Sequence, residues 1–227
     1  MDTAAAWEAH ATQWLAWTEP AHEEGFWTVT WPTLREMLPP ATGVTLDLGC
    51  GEGRGARELS RLGHRVLGIE RAPTLASAAA ERGTSVVLAD ATRLPLRDGG
   101  VAMVFASMSL LDIDDLDGAV DEIVRVLAPD GSLVAAIVHP MISAFDTSVR
   151  HEGRLELPAP YLTHRQYEDH IVDEGHEMTF TSVHRPVRDY LRPMLARGFV
   201  ITDLREEGGG PIPWFLAFRA DRVRRQA

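Results

Sequence analysis

The stretch of sequence that decides the fold is Thr45-Leu46-Asp47-Leu48-Gly49-Cys50-Gly51-Glu52-Gly53-Arg54. It begins as a short, largely apolar run and becomes a glycine-rich loop just before a stretch with helical spacing, Arg54–Leu62. Glycine accepts left-handed backbone conformations and has no side chain, so Gly49, Gly51 and Gly53 predict a sharp turn that brings main chain close to a ligand. The following helix offers free N–H groups to a negatively charged part of that ligand. The segment therefore predicts a strand, a ligand-binding loop and a helix.

On both sides of this loop, short β-rich apolar runs alternate with helical patterns. The predicted strands are Val44–Leu48, Arg65–Ile69, Ser85–Ala89, Val101–Ser107, Ser132–His139, Phe199–Leu204 and Trp214–Arg219. The predicted helices are Arg54–Leu62, Leu75–Arg82, Leu116–Leu127 and Val187–Ala196. Continuous apolar strands that alternate with helices are typical of a mostly parallel sheet with helices on both faces. The fold class predicted is therefore α/β.

The first segment outside this alternation is residues 1–40, which we interpret as an N-terminal helical cap or lid. It holds five of the six tryptophans: Trp7, Trp14, Trp17, Trp27 and Trp31. Trp7, Trp14 and Trp17 have the spacing of one helix face. Such rings either pack on the sheet or form a mobile cover that excludes water from a ligand, and both roles remain open here.

The second such segment is residues 140–184, which follow the fifth predicted strand within a main domain of residues 41–227. Its length exceeds that of an ordinary connection between strand and helix. It is therefore either a functional cap over the substrate or a flexible loop. The alternating run Met178–Val183 predicts an added strand within it.

Composition limits the class of protein and of partner. The 227 residues are 45% hydrophobic and 24% charged, as expected of a soluble globular chain. Net charge is −11, which argues against a nucleic-acid partner. All 22 basic residues are arginine, which excludes lysine chemistry. A single cysteine, Cys50, excludes an internal disulfide and a four-thiolate zinc site, and we predict no metal site.

The same composition argues against a membrane partner. No apolar run reaches the ~18 residues that a membrane-spanning helix needs. The first residues also lack the basic region of a secretory signal. We therefore expect a cytoplasmic protein.

The glycine stretch resembles the first motif of class I S-adenosylmethionine-dependent methyltransferases. That family has a Rossmann-like, seven-stranded, mostly parallel sheet whose last strand is antiparallel. Further family landmarks follow in order: Glu70 in V-L-G-I-E-R, Asp90 and Ala91 in L-A-D-A, L-P-L-R-D-G-G at 94–100, Ser107, and the turn Val126–Gly131. The resemblance covers residues 44–139 well and the last strand only by pattern. Five landmarks in the right order and spacing make the combination specific.

The resemblance implies S-adenosylmethionine as the cofactor and assigns roles at its binding site. Glu70 would accept two hydrogen bonds from the ribose hydroxyls, a charge-assisted contact. Asp90 and the backbone N–H of Ala91 would contact adenine, and Ser107 would bring backbone to the methionine part. The complete set of residues implied to bind the cofactor is Asp47, Gly49, Gly51, Gly53, Glu70, Arg71, Asp90, Ala91 and Ser107.

The sequence departs from the family pattern at some positions. Val101-Ala102 stand where the family often has Phe-Asp, so that contact is absent, and Pro129-Asp130-Gly131 replace the usual Pro-Gly-Gly turn. Ser107-Met108-Ser109-Leu110 is not the Asn/Asp-Pro-Pro-aromatic tetrad of methyltransferases that act on the amines of nucleobases. Together with the acidic charge, this favours a small, largely apolar acceptor in an enclosed pocket, of the kind modified in natural-product tailoring.

Candidate catalytic residues are few, because methyl transfer from a sulfonium depends mainly on alignment of donor and acceptor. A general base is needed only where the acceptor must lose a proton. The candidates are His139, at the end of the fifth strand, and His184, although a structural hydrogen-bonding role is commoner for each. Asp112 more often orients a loop at such a position. The residues predicted to bind the acceptor are Trp17, Trp27, Tyr161 and Arg185.

Two other functions remain open from the sequence. A protein that binds S-adenosylmethionine without transferring its methyl group, such as a cyclase or a binding module, would need the same pocket. An NAD(P)-dependent oxidoreductase is less favoured. Gly51, Gly53 and Ala56 fit its G-x-G-x-x-A pattern, but Asp47 occupies a position that is usually apolar there. The acceptor, the methylated atom and the oligomeric state are not specified by the sequence.

Overall fold

The computed structural model of the protein describes residues 3–18, 25–145, 155–173, 175–208 and 212–223. The strands in these ranges are β1 Val44–Leu48, β2 Arg65–Glu70, β3 Val86–Leu88, β4 Val101–Ser107, β5 Leu127–Val138, β6 Arg165–Asp173, β7 His176–His184, β8 Phe199–Glu207 and β9 Phe215–Arg222. The α-helices are α1 Thr3–Trp17, α2 Trp31–Met37, α3 Arg54–Arg61, α4 Pro73–Glu81, α5 Leu116–Val126, α6 Pro140–Ser143 and α7 Val187–Ala196. A π-helical turn, Phe26–Thr30, leads into α2, and a 3₁₀ turn, Leu110–Asp112, follows β4.

Seven strands form one sheet in the order β3-β2-β1-β4-β5-β9-β8. The pairs β1–β2, β1–β4, β2–β3 and β4–β5 are parallel, whereas β9 is antiparallel to both β5 and β8. The predicted seven-stranded, mostly parallel sheet with an antiparallel last strand is therefore confirmed. The chain runs outward from β1 to β3 and then returns to β4 on the other side of β1. Sheets of this type bind ligands at that reversal point, beyond the carboxyl ends of the strands.

Both faces of the sheet are covered because alternate residues of its central strands point to opposite sides. On one face, Val104 of β4 packs in a buried cluster with Val120 and Ile123 of α5. The side chain of Asp115 accepts a hydrogen bond from the N–H of Gly118 and so caps α5. On the other face, Phe105 of β4 packs in a second cluster that includes α2.

Most element boundaries agree with the sequence prediction to within two residues. The main difference is β5, which begins at Leu127 rather than Ser132. Its pairing with β4 passes from Val101–Leu127 directly to Met103–Ser132, so the predicted turn at 128–131 forms a bulge inside this strand. Strand β8 also continues to Glu207, three residues beyond its predicted end.

The two segments predicted outside the alternation meet in space. The predicted strand Met178–Val183 lies within β7, which pairs with β6 as a separate antiparallel hairpin. Helix α1 packs against β7 and α4, whereas α2 packs against β5 and β9 of the main sheet. The predicted cap at 1–40 therefore divides into a helix over the hairpin and a helix in the core. Residues 19–24 and 146–154 of the two predicted segments lie outside the described residues.

Candidate active site

A cavity of about 410 Å³ lies beyond the carboxyl ends of the parallel strands. Its floor is formed by residues at or just after the ends of β1, β2, β3, β4 and β5. Its roof is formed by α1 and the β6–β7 hairpin. This is the reversal point of the sheet, where open α/β folds bind ligands.

The glycine loop forms one wall of this cavity, and a glycine is favoured at each of its positions for a different local reason. Gly49, Gly51 and Gly53 all have positive φ, at 69°, 56° and 85°. A Cβ at Gly49 would lie 2.6 Å from Cβ of Ser109, and one at Gly53 would lie 2.4 Å from Oγ1 of Thr84. Gly51 instead faces the roof. Gly49 and Gly51 line the cavity, whereas Gly53 does not. Gly53 therefore shapes the loop without reaching the cavity.

Glu70, at the end of β2, holds the glycine loop through its carboxylate. Oε2 accepts a hydrogen bond of 2.8 Å from the N–H of Gly51, and Oε1 accepts bonds of 2.7 and 2.8 Å from the N–H groups of Arg71 and Ala72. Burial raises the pKa of Glu70, and these three hydrogen bonds only partly offset that effect. A carboxylate offers about four lone-pair positions, so one position remains, on Oε2. The two ribose hydroxyls of the predicted contact would have to share this one lone-pair position.

Asp90 and Ala91 line the cavity just after β3. Oδ1 of Asp90 accepts hydrogen bonds from the N–H and the hydroxyl of Thr92, at 2.8 and 2.7 Å. Nε of Arg71, which also lines the cavity, lies 3.3 Å from Oδ2. Burial raises the pKa of Asp90, but the Thr92 hydrogen bonds and the Arg71 charge outweigh it and lower the pKa overall. Asp90 is therefore an ionised carboxylate at neutral pH.

Two buried oxygen atoms in the floor lack a partner among the described residues. They are Oδ2 of Asp47, in a side chain only 3% exposed, and Oγ of Ser107. Burial raises the pKa of Asp47 to about 7, and the charges of Glu52 and Glu70 add to this effect. A Cβ at Gly55 would lie 3.2 Å from Asp47 Oδ2, so this glycine, which the sequence interpretation missed, leaves room for the carboxyl group of Asp47. Buried unpaired polar atoms are rare and call for a ligand or another explanation.

Aromatic rings from α1 and β7 make up much of the roof. The ring of Phe180 lies 6.5, 6.3 and 5.8 Å from those of Trp7, Trp14 and Trp17, each in an edge-on arrangement. All four residues line the cavity, including Trp17, which the sequence predicted to bind the acceptor. Trp27 does not line it, and its side chain is 40% exposed.

The roof is also joined to the glycine loop. Nε1 of Trp14 donates a hydrogen bond of 3.1 Å to Oε2 of Glu52 and lies over Gly51. The Arg54 guanidinium lies 4.6 Å from the Trp14 ring centroid and 4.1 Å from that of Phe26. Such cation–π contacts stabilise the position of the cation. Helix α1 is therefore fastened to the loop that it covers.

The hairpin directs polar groups into the cavity as well. Tyr167 and Asp169 of β6 and Ser182 of β7 line it. The Ser182 hydroxyl donates a hydrogen bond of 2.6 Å to Oδ1 of Asp112, which follows β4 and also lines the cavity. Burial raises the pKa of Asp112 to about 8. Sequence reasoning assigned Asp112 to loop orientation and missed the hairpin residues, for which alternation along β6 was the available signal.

His139, predicted as a base, does not line the cavity. Its ring is buried, with Nε2 at 2.8 Å from Oε1 of Glu206. Its Nδ1 accepts a hydrogen bond from the N–H of Met141 and so caps α6. Both ring nitrogens of His139 therefore have structural partners.

His184, Tyr161 and Arg185 also lie outside the cavity wall. Nδ1 of His184 is 2.8 Å from the Ser143 hydroxyl, and Nε2 is 2.9 Å from the backbone oxygen of Tyr161. The Tyr161 hydroxyl accepts a hydrogen bond from a backbone N–H at the start of α7. Nη2 of Arg185 donates to the backbone oxygens of Ile113 and Asp114. These three residues hold the connections around the hairpin together.

Two further findings concern other kinds of site. Within the described ranges, no group of three or more His, Cys, Asp and Glu side chains is arranged to hold a metal ion. No helix in the part of the chain that the structure describes is long and apolar enough to cross a bilayer.

Residues 46–135 match the family model described as a methyltransferase domain. An O-methyltransferase of Aspergillus sclerotiorum is 32% identical over 133 residues, which are 53% of this chain and 50% of that protein. A demethylmenaquinone methyltransferase of Corynebacterium kroppenstedtii is 31% identical over 115 residues, half of each chain. The chain thus spans about half the length of these curated relatives.

The fold has close counterparts among solved structures. A crystal structure of an S-adenosylmethionine-dependent methyltransferase from Mesorhizobium loti superposes with a TM-score of 0.68 at 24% identity. The superposition covers 85% of this chain and 97% of the other. At this identity, the likeness concerns the fold.

Proposed function

We propose that this chain, whose residues 46–135 match a methyltransferase domain, is a class I S-adenosylmethionine-dependent methyltransferase and that it methylates a small molecule held beneath α1 and the β6–β7 hairpin. The observation that carries the proposal is the pair of buried, unpartnered oxygens on Asp47 and Ser107 beside the glycine loop. They lie in the floor of a cavity that residues from five strand ends surround.

The residues present fit the cofactor. The open position on Glu70 Oε2 would accept a ribose hydroxyl, and Asp90 with Ala91 would hold the purine. The unpaired Oδ2 of Asp47 would accept a hydrogen bond from the ammonium group of the methionine part, and that charge would favour the ionised form of Asp47. When bound, S-adenosylmethionine supplies a methyl group on a sulfonium, which leaves as a neutral thioether.

The contribution of the protein to the reaction is alignment and exclusion of water. The floor would fix the cofactor, while the aromatic roof would hold the acceptor over it, and such positioning supplies much of the acceleration in a transfer between two bound groups. A proton acceptor is needed only for some acceptors. His139 and His184 are hydrogen-bonded to other residues and do not line the cavity. The candidate proton acceptor is therefore the carboxyl group of Asp112, which does line it.

A small acceptor is supported by the roof and by charge. The roof lies on the cavity from two sides, and a net charge of −11 is unfavourable for a polyanion. One relative is named for demethylmenaquinone, a small molecule. We extend the proposal to a largely apolar acceptor body because Trp7, Trp17 and Phe180 dominate the roof.

The first test is calorimetric titration with S-adenosylhomocysteine. We expect binding by the wild type, and an affinity lowered about tenfold or more in Glu70→Ala and Asp90→Ala, because each loses a charge-assisted hydrogen bond of roughly 1.5–3 kcal/mol. Glu81→Ala, an exposed acid at the end of α4, is the matched control and should bind like the wild type. Glu70→Gln, checked by circular dichroism, separates lost binding from lost folding, because Glu70 also holds three backbone N–H groups.

The second test is product analysis with S-adenosylmethionine and candidate acceptors. A gain of about 14 Da, the mass of one added CH₂, on an acceptor supports transfer. Cofactor binding without methylated product for every acceptor tried would favour a non-methylating enzyme or binding module. If the folded wild type bound neither S-adenosylmethionine nor S-adenosylhomocysteine, the proposed function would be wrong.

A further inference from the structure

The carboxyl group of Asp112 lies where the floor of the cavity meets its roof. Asp112 ends the 3₁₀ turn after β4 and lines the cavity, with part of its surface accessible. Its Oδ1 accepts the hydrogen bond of 2.6 Å from the Ser182 hydroxyl of β7. The indole N–H of Trp7 in α1 makes no full hydrogen bond within the described residues, but it lies near enough to this carboxyl to lower its pKa. A carboxylate offers about four lone-pair positions, so these two donors leave room for one from a ligand.

The backbone at Asp112 is held from both sides of the roof. The Thr3 hydroxyl of α1 donates a hydrogen bond of 2.6 Å to the backbone oxygen of Asp112. Nη2 of Arg185, which follows β7, donates to the backbone oxygens of the next two residues, Ile113 and Asp114. The carboxyl therefore has a fixed place in the cavity wall, as a group that acts on a bound molecule requires.

The groups around Asp112 make its carboxyl a base of intermediate strength. Burial raises the pKa of Asp112 to about 8, and the negative charge of Glu70 adds to this effect. Hydrogen bonds from the roof and the positive charge of Arg185 act in the opposite direction. Tyr167 and Tyr190 also interact electrostatically with Asp112. A proton acceptor is most effective when its pKa lies near the working pH, as it does here.

Aromatic rings line the same cavity from three elements. They belong to Trp7 and Trp17 of α1, Tyr167 of β6 and Phe180 of β7. Stacked or edge-on contacts between aromatic rings are favourable beyond the area that they bury. A planar aromatic acceptor therefore suits this roof.

Resting on the proposed function, we propose that the methyl acceptor is a phenol, an aromatic ring with a hydroxyl group, and that Asp112 takes the proton of that hydroxyl. The O–H bond breaks as its proton moves to the carboxylate of Asp112. The electron pair left on oxygen forms the bond to the methyl carbon, while the pair of the broken S–CH₃ bond stays on sulfur. The products are a methyl ether, a neutral thioether and protonated Asp112, which returns its proton to water.

A phenol matches this base better than an amine does. A neutral amine already carries the lone pair that attacks, so it needs no proton acceptor before the transfer. A phenolic hydroxyl has a pKa of about 10, close enough to that of Asp112 for the proton to move as the methyl group is transferred. Ser182 and Arg185 act through Asp112 and are therefore positioning residues.

The experiment measures methylated product from matched acceptors with S-adenosylmethionine, by mass spectrometry. The probes are 2-naphthol, the more acidic 6-cyano-2-naphthol, and 2-(aminomethyl)naphthalene as an amine of similar shape. We expect methylation of both naphthols and slower methylation of the amine. In Asp112→Asn the kcat for 2-naphthol should fall about a hundredfold or more, and less for 6-cyano-2-naphthol, which gives up its proton more easily. Asp173→Asn, an exposed acid at the end of β6, is the matched control and should keep the wild-type rates.

The pH dependence separates a proton acceptor from a residue with only a structural role. The wild-type kcat for 2-naphthol should rise with pH and level off above about 8, because only the ionised Asp112 accepts a proton. In Asp112→Asn it should instead follow the ionisation of the naphthol itself. Ser182→Ala should move the midpoint to higher pH, since its hydrogen bond lowers the pKa of Asp112, and Ser182→Thr should largely restore it.

A further measurement is independent of turnover. In ¹³C NMR spectra of protein labelled at the aspartate carboxyls, the signal absent from Asp112→Asn should titrate near pH 8. Faster methylation of the amine, no methylation of either naphthol, or an unchanged 2-naphthol rate in Asp112→Asn would overturn the phenol proposal. Calorimetry with S-adenosylhomocysteine should give the same affinity for Asp112→Asn as for the wild type, which shows that the variant is folded. Absence of that binding in the wild type would instead contradict the proposed function.

Discussion

At the scale of single residues, Asp47 is a buried carboxyl whose negative charge is unfavourable in the unliganded protein. Burial, and then the charges of Glu52 and Glu70, raise the pKa of Asp47 from 3.8 to about 7. The folded state therefore binds this proton more tightly than the unfolded state. The resulting stabilisation is complete below about pH 4 and is lost as pH rises through 7.

Asp47→Asn removes this dependence, because asparagine does not titrate. We expect the wild type to lose on the order of a few kcal/mol of unfolding free energy between pH 4 and pH 8 through this group, and the variant to lose correspondingly less. Affinity for S-adenosylhomocysteine should fall at the same time, because the charge facing the ammonium group is gone. Urea unfolding at pH 4, 6 and 8, with calorimetry, measures both.

Asp130→Asn is the matched control for this prediction, because Asp130 is exposed and lies away from the cavity. It should follow the wild-type pH dependence. If Asp47→Asn also followed it, the raised pKa assigned to Asp47 would be wrong.

Which site residues could be predicted depended on whether they lie in a local motif. Asp47, Glu70, Asp90 and Ser107 line the cavity at positions implied by the resemblance, because each lies within two residues of the carboxyl end of a strand. Their contacts with the cofactor remain predictions. Asp169 was not predicted, because alternation along β6 indicates an inward side chain but not that the hairpin folds over the sheet.

At the scale of elements, the roof joins two segments that are distant in the sequence. Helix α1 and strand β7 meet through Phe180, whose ring contacts those of Trp7, Trp14 and Trp17. Edge-on aromatic pairs each contribute about 0.5–1.5 kcal/mol beyond burial. Phe180 is therefore a central aromatic contact between α1 and the hairpin.

Phe180→Ala should loosen the roof and leave the sheet intact. We expect amide hydrogen exchange in α1 and in β6–β7 to rise tenfold or more, because local opening becomes easier once the three ring contacts are lost. Exchange in β4 should stay as in the wild type, since its side chains pack in clusters that do not include Phe180. Hydrogen-exchange mass spectrometry resolves the two regions.

Val172→Ala provides the comparison within the hairpin, because Val172 is 65% exposed. It should change exchange little. An increase spread evenly over the sheet, or no increase in α1, would contradict the role given to Phe180.

The sequence predicted a strand well where one hydrophobic pattern covered it, and less well where its inward face mixed different residue types. Strand β4 is an unbroken apolar run and was predicted at its observed ends. Strand β6 was missed, because its inward residues Tyr167, Asp169 and Ile171 mix aromatic, acidic and aliphatic types. Its partner β7 was found in part, since Met178 to Val183 alternates clearly.

At the scale of the whole molecule, the order of the motifs along the chain predicted the fold and the position of the cavity better than any single motif did. Strands and helices alternate from residue 44 onward, and this order produces a sheet that reverses between β1 and β4. The cavity follows from that reversal. The roof does not, because α1 and the hairpin lie outside the alternation, and sequence separation carries no information about their contact.

The central claim is that this cavity receives a sulfonium nucleoside and not a dinucleotide. Its most direct test is thermal unfolding of the wild type with S-adenosylhomocysteine at about a hundred times its Kd, or with NADH at the same concentration. Bound S-adenosylhomocysteine should raise the Tm by on the order of 5–10 °C, as about 2.7 kcal/mol of added stability implies, and NADH should leave it unchanged. A rise with NADH and none with S-adenosylhomocysteine would contradict the account.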